Sequence, residues 1–226
     1  AYLVKHGKTE EALNVYREAL TRKGGDNVLY ELSRLLVQLN CPDEAIDVYK
    51  HAIARKPEDI DLRDSLASLY GDVGKPDEQL AVLRELVPLY QERIRGGNYS
   101  YQSLARLYRK LGQIEDARAI ERERLKNART GSSMLFNSDA MMYATSDDPN
   151  FRDPDMAIEF AKRACEMTQY SQSMILDTLA TAYAAKGDFD SAVMWQLKAI
   201  ELCDDESMEF YEENLKLFRE RKTVPP

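Results

Sequence analysis

Histidine, cysteine and long apolar runs are all scarce in this chain. Its 226 residues hold two histidines, His6 and His51, and three cysteines, Cys41, Cys165 and Cys203. An odd, widely spaced cysteine set frames neither a disulfide scaffold nor a metal-ligand pair. No spacing brings a histidine to a cysteine, as a nucleophile and its base require. The histidines are therefore read as solvated helix residues and Cys165 as a small core residue. No catalytic residue, cofactor or metal is implied, and the chain is not expected to be an enzyme. No apolar run approaches the ~18 residues of a membrane span, and no charged-then-apolar leader opens the chain. A basic excess is missing too. The net charge is −8 and the isoelectric point about 5.0, which argues against nucleic acid or an anionic membrane as partner. The unpaired cysteines favour a reducing compartment, the cytoplasm, with the periplasm left open.

What the chain does have is 44% hydrophobic and 31% charged residues, a balance that supports a core rather than disorder. Its clearest pattern is DTLATAYAAKGDFDSAVMWQLKAIE, Asp177 to Glu201. Leu179, Ala180 and Tyr183 form one helix-period stripe before Gly187, and Phe189, Ala192, Gln196 and Ala199 form another after it. That is a helical hairpin, whose apolar faces need neighbouring hairpins for burial. The residue opening each second helix recurs as Ala12, Ala45, Gln79, Ala117, Ala157 and Ala192, a near-constant period. Pro42, Pro76 and Pro154 open three of these helices, each followed by an acidic residue. Proline suits a first turn that has no partner for its missing N–H, and the acid suits the helix dipole.

The Leu-Ala-x-x-Tyr-x-x-x-Gly-x-Phe-x-x-Ala run resembles the tetratricopeptide repeat, a helix-turn-helix module of ~34 residues. The resemblance implies an all-α right-handed superhelical solenoid of about six hairpins with a C-terminal capping helix. The repeats are placed at about 1–25 (partial), 26–59, 60–97, 98–131, 132–172 and 173–205, with cap and tail at 206–226, as a single domain. Residues 140–202 are similar to the closing repeats of bacterial multi-repeat proteins of the family, some fused to kinase or other signalling domains. Gly7 already holds a turn position, so the chain is expected to begin partway through a helix, with sequence missing upstream.

Some stretches depart from the pattern. Pro88 predicts a kink or early break in the second helix of the third repeat. In the fourth, Glu121 and Arg124 stand where an aromatic and a small residue would pack, so looser stacking is expected. NARTGSSM, around Gly131, reads as a flexible joint. TSDDPNFRD is a loop insertion in the fifth repeat. It lacks the glycine and closing glutamate of a calcium loop, so Asp153 is read as a helix cap. Met208, Tyr211, Leu215 and Phe218 form the apolar stripe of the capping helix.

Family resemblance implies a protein-protein interaction scaffold that binds a peptide or protein segment in a concave groove lined by first helices. By repeat phase the groove candidates are Tyr30, Arg34 and Val37; Asp64 and Ser68; Gln102, Arg106 and Arg109; Asn137 and Met141; Asp177 and Thr181. The arginines are expected to contact anions or peptide backbone, and Met141 to be an adaptable apolar contact. Relatives that clamp C-terminal carboxylates use asparagine where Arg34 and Arg106 stand and lysine where Asn137 stands, so that activity is not implied. Charge is segregated: residues 93–129 carry ten basic and four acidic side chains, and residues 137–212 five and sixteen. Opposed patches of this kind offer an alternative function, self-assembly within a larger bacterial signalling protein.

Overall fold

The structure, a computed structural model, describes Asn14, Glu18 and residues 26–38, 41–97, 100–127 and 133–225. The partial first repeat, with His6, Gly7 and Ala12, and the joint around Gly131 lie outside the described residues. Among those described there are eleven α-helices and no strand: α1 (Asp26–Gln38), α2 (Pro42–Arg55), α3 (Ile60–Asp72), α4 (Pro76–Arg95), α5 (Tyr101–Lys110), α6 (Ile114–Lys126), α7 (Ser133–Thr145), α8 (Pro154–Met167), α9 (Ser173–Lys186), α10 (Phe189–Leu202) and α11 (Met208–Arg219). The helices alternate as five hairpins followed by one further helix. Packing divides the chain into two units, Ala1–Leu107 and Tyr108–Pro226.

Local chemistry sets the hairpin boundaries. Pro42, Pro76 and Pro154 occupy first helical turns with acids beside them. Asp59, Asp153 and Asp188 cap α3, α8 and α10 by accepting from the N–H of Leu62, Met156 and Ser191, which satisfies donors that the helix leaves free. The intra-hairpin turns share one device. The carbonyls of Tyr70, Tyr108 and Tyr183 accept from Lys75, Gln113 and Asp188 at 2.8, 2.8 and 3.0 Å. Gly74, Gly112 and Gly187 make this possible by adopting φ of 72°, 72° and 86°, a left-handed conformation that glycine takes without a Cβ clash. In the fifth repeat there is no such glycine. The inserted loop nevertheless closes on the same carbonyl, with Asp153 N–H donating to Tyr143 O at 2.9 Å.

Packing follows the small residues. Ala45, Ala117, Ala157 and Ala192 are fully buried, which lets paired helices approach. Gln79 takes that place in the third repeat because Gly71 lies opposite: a Cβ on Gly71 would fall 2.6 Å from Gln79 Nε2. α4 runs unbroken from Pro76 through Pro88 to Arg95, so the expected early break does not occur.

In the second unit Phe136, Tyr143, Met156, Phe160, Ile175 and Leu179 belong to one core cluster, and Phe218 of α11 closes another with Ala180, Ala184 and Ala192. Tyr211, Leu215 and Phe218 bury the expected face of the terminal helix. Cys165 is fully buried in this core, and burial pushes its thiol up to about 12. Tyr183 packs against both clusters while remaining half-buried. Replacing Tyr183 by Ala should therefore cost ~2–4 kcal/mol, the lower part of the range for a large-to-small core substitution. Urea denaturation of the two proteins checks this, and a loss under ~1 kcal/mol would mean that Tyr183 does not join the clusters.

Candidate binding groove

In the first unit α1 and α3 flank an open hollow of about 570 Å³, lined by Ser33, Arg34 and Val37 from α1, Tyr49 from α2, and Asp64, Ser65, Ser68, Leu69 and Asp72 from α3. Arg34, Val37, Asp64 and Ser68 were expected on one face by repeat phase, and the fold brings all four together. Leu32, Leu35 and Leu36 turn the opposite face of α1 into the core, as Leu62, Leu66 and Ala67 do for α3. Arg34, Asp64, Ser68 and Asp72 are consequently exposed. Asp64 Oδ2 accepts from Tyr90 OH at 3.0 Å. Burial, and then the Asp64 charge, push the Tyr90 phenol up to about 12, so it stays a donor across the ordinary pH range. Arg63, one residue away, turns inward and donates to Glu85 Oε2 at 3.2 Å and to the carbonyls of Pro57 and Asp59.

The remaining candidates divide. Arg106 is exposed and Gln102 partly buried, whereas the side chain of Tyr30 lies outside the described residues. In the second unit Met141 is partly buried, but Arg109, Asn137, Asp177 and Thr181 are buried and present no groove surface. Asp177 instead accepts from Gln196 Nε2 at 2.8 Å and Asn214 Nδ2 at 2.9 Å, tying α9 to α10 and α11. A second hollow, of about 440 Å³, went unread in the sequence. Tyr170, Trp195, Lys198, Glu201 and Leu202 line it, with the Tyr170 and Trp195 rings stacked at 5.5 Å. Those residues lie outside the first-helix positions from which the groove candidates were drawn.

A tetratricopeptide repeat family model matches residues 3–95, and a second tetratricopeptide repeat model matches residues 173–203, together more than half of the 226 residues. This chain is a tetratricopeptide repeat protein. Its all-helical hairpin fold is that of a tetratricopeptide repeat solenoid, and the family implies a protein-interaction scaffold. Similar solved structures include a thermophilic tetratricopeptide repeat protein of Thermus thermophilus, 20% identical, with 96% of this chain and 95% of that one covered at a TM-score of 0.32. Another belongs to Parabacteroides merdae, 17% identical, with coverages of 96% and 94% and a TM-score of 0.31. A chain of the Naa15/Naa10 complex bound to HypK-THB is 19% identical with a TM-score of 0.36, and the match covers 97% of this chain but 38% of that one. No curated protein matches.

In this tetratricopeptide repeat protein the residues expected to loosen the fourth repeat form a buried charge cluster instead. Arg109 Nη2 donates to Glu121 Oε2 and Asp153 Oδ2, both at 3.0 Å, and its Nη1 donates to Asn150 O at 3.0 Å. The guanidinium lies 4.3 Å from the centre of the Tyr143 ring, whose hydroxyl donates to Glu121 Oε1. Arg118 adds two bonds to Asp153, at 2.8 and 3.0 Å. Arg124 pairs with Asp139 at 2.7 Å and sits over the Phe136 and Phe160 rings. Arg109 thus holds the inserted loop through Asn150 and Asp153; it is a structural residue and not a ligand contact.

Burial dominates the protonation of this cluster. Desolvation pushes Glu121 up to about 7, against the opposing bond from Arg109. For Asp153 the effect of burial is outweighed by bonds from Arg118, Arg109 and the Met156 N–H, and its carboxyl is held below the usual range. A carboxyl raised on folding binds its proton more tightly in the folded state, so stability falls as pH rises from about 4.5 to about 7. We expect Glu121→Gln to remove a decline on the order of 1–3 kcal/mol between these limits. Asp177, raised by burial despite bonds from Asn214 and Gln196, keeps its own smaller slope in both proteins. Denaturant midpoints measured across this range decide; an unchanged slope in the variant would show Glu121 fully ionised throughout. Arg109→Ala, which strands Glu121 and leaves Asp153 to Arg118 and the Met156 N–H, should cost ~3–5 kcal/mol.

Proposed function

We propose that this chain is a non-catalytic scaffold whose α1–α3 groove receives an extended segment of a partner protein. The observation that carries the reading is the convergence of Arg34, Val37, Asp64 and Ser68 on one open hollow, floored by Tyr49. The hollow offers what an extended peptide uses: a guanidinium for backbone carbonyls, carboxylates and hydroxyls for backbone N–H groups, and apolar surface from Val37, Tyr49 and Leu69 for side chains. Its walls come from helices whose other faces are anchored in the core, so binding requires little reordering.

Self-assembly through opposed charge patches draws less support. Arg109, Arg118, Arg122 and Arg124 supply much of the positive block, and each already pairs with a carboxylate: Glu121, Asp153, Glu159 and Asp139. Three of these four carboxylates belong to the acidic segment, so part of each block answers the other within the fold.

Ser68→Trp tests the groove, since it fills the hollow from an exposed helix position. A partner captured from the source cell's lysate by the unaltered protein should be lost at least ~10-fold with the variant, as expected for a blocked central contact. Equal capture would place the contact elsewhere. Circular dichroism should give both proteins the same helix content.

A further inference from the structure

We infer that the segment received by the α1–α3 groove is basic, carrying lysine or arginine at two positions four residues apart in an extended conformation. This rests on the groove-receptor reading above and specifies its ligand. The wall formed by α3 carries the charge. Asp64, Ser68 and Asp72 follow at four-residue spacing, all exposed and all lining the hollow, and this spacing keeps them on one helix face. Arg63 does not offset them, because it is buried and fastened to Glu85 and two carbonyls on the far side. Tyr90 orients the Asp64 carboxylate by donating to one of its oxygens, and a neutral phenol leaves the charge in place. Among the described residues, those lining the hollow include two carboxylates, Asp64 and Asp72, against one guanidinium, Arg34.

Distances fix the register. Eight residues along α3 separate Asp64 from Asp72 by ~12 Å. In an extended segment, side chains four residues apart point the same way and lie ~13 Å apart. Two basic side chains at i and i+4 therefore reach both carboxylates at once, with small residues passing Ser68 between them. The α1 wall reads the backbone. Arg34 is placed to donate to carbonyls, and the Ser33 hydroxyl, buried against the hollow, has no hydrogen-bond partner among the described residues. An acidic segment would meet like charge along the whole α3 wall.

Three acetylated and amidated heptapeptides test this on the intact chain: Ala-Lys-Ala-Ala-Ala-Lys-Ala and its counterparts with glutamate or glutamine in place of lysine. Binding is read from backbone amide shifts of Ser33, Val37, Ser68 and Asp72. The lysine peptide should bind at least ~5-fold more tightly than the glutamine peptide, with the advantage shrinking at high salt, as for two exposed ion pairs. Asp64→Asn with Asp72→Asn, both exposed and nearly isosteric, should abolish that advantage while leaving unliganded amide shifts away from the two substituted residues and Tyr90 unchanged. Tighter binding of the glutamate peptide, equal binding of lysine and glutamine peptides, or a lysine advantage that survives the double variant would overturn the basic ligand while leaving a peptide groove. If no peptide shifts these amides, the groove reading itself falls.

Discussion

Close packing at one position of each hairpin among the described residues is the constraint on which the other features rest. Ala45, Ala117, Ala157 and Ala192 fill it with no exposed surface at all, and a side chain any larger needs room from the helix opposite. The third repeat shows the rule through its exception, since Gln79 enters only because Gly71 stands across from it. Tight pairing of helices turns one face of each first helix inward and leaves a defined strip outward. In the first unit that strip is Arg34 and Val37 on α1 and Asp64, Ser68 and Asp72 on α3. Groove chemistry is in this sense a by-product of hairpin packing.

A second consequence appears where core positions hold charge. Counting from the hairpin tyrosines, Arg109 occupies the place of Gly71, Ala144 and Ala184, and Asp139 the place of Leu66, Leu104 and Leu179. Counting from the residue that opens each second helix, Glu121 falls with Tyr49, Leu83, Ala161 and Gln196, and Arg124 with Ala52, Leu86, Ala164 and Ala199. Four charged side chains thus sit where the other repeats are uncharged, and the fold pairs Arg109 with Glu121 and Arg124 with Asp139. Buried pairs of this kind contribute little net stability over apolar packing, yet losing one partner is severe. They make the helices that carry them specific for one another, and they bind the inserted loop, whose Asp153 serves at once as helix cap and as counter-ion to two arginines.

Hairpin period, proline starts, glycine turns, the Asp153 cap and the terminal helix were all legible in the sequence, because each rests on local spacing that a one-dimensional pattern preserves. The groove was legible in part. Repeat phase put Arg34, Val37, Asp64 and Ser68 on one face, and all four line one hollow, but it also named Arg109, Asp177 and Thr181, which the core covers. For Arg109 the same phase held the correction, since a charge at a position that is alanine or glycine in sister repeats belongs inside with a partner; Asp177 and Thr181 share their phase with the exposed Asp64 and Ser68 and carried no such signal. Glu121 and Arg124 were read singly as mismatches and a sign of loose stacking, although opposite charges at two core positions of neighbouring hairpins predict pairing. Segregated charge along the chain pointed to patches on the surface, and folding pairs Arg109, Arg118, Arg122 and Arg124 of one block with Asp153, Glu159 and Asp139 of the other. Loop closure over Tyr143 O and the stacking of Tyr170 on Trp195 depend on tertiary approach and had no sequence signal.

A selection of random peptides displayed on phage against the intact chain puts the receptor groove to the most direct test, because it presumes no partner. Enriched sequences should compete with one another, lose binding to the Ser68→Trp protein and carry basic residues four apart. Enrichment of peptides that bind the Ser68→Trp protein as well as the unaltered one would contradict a receptor groove between α1 and α3.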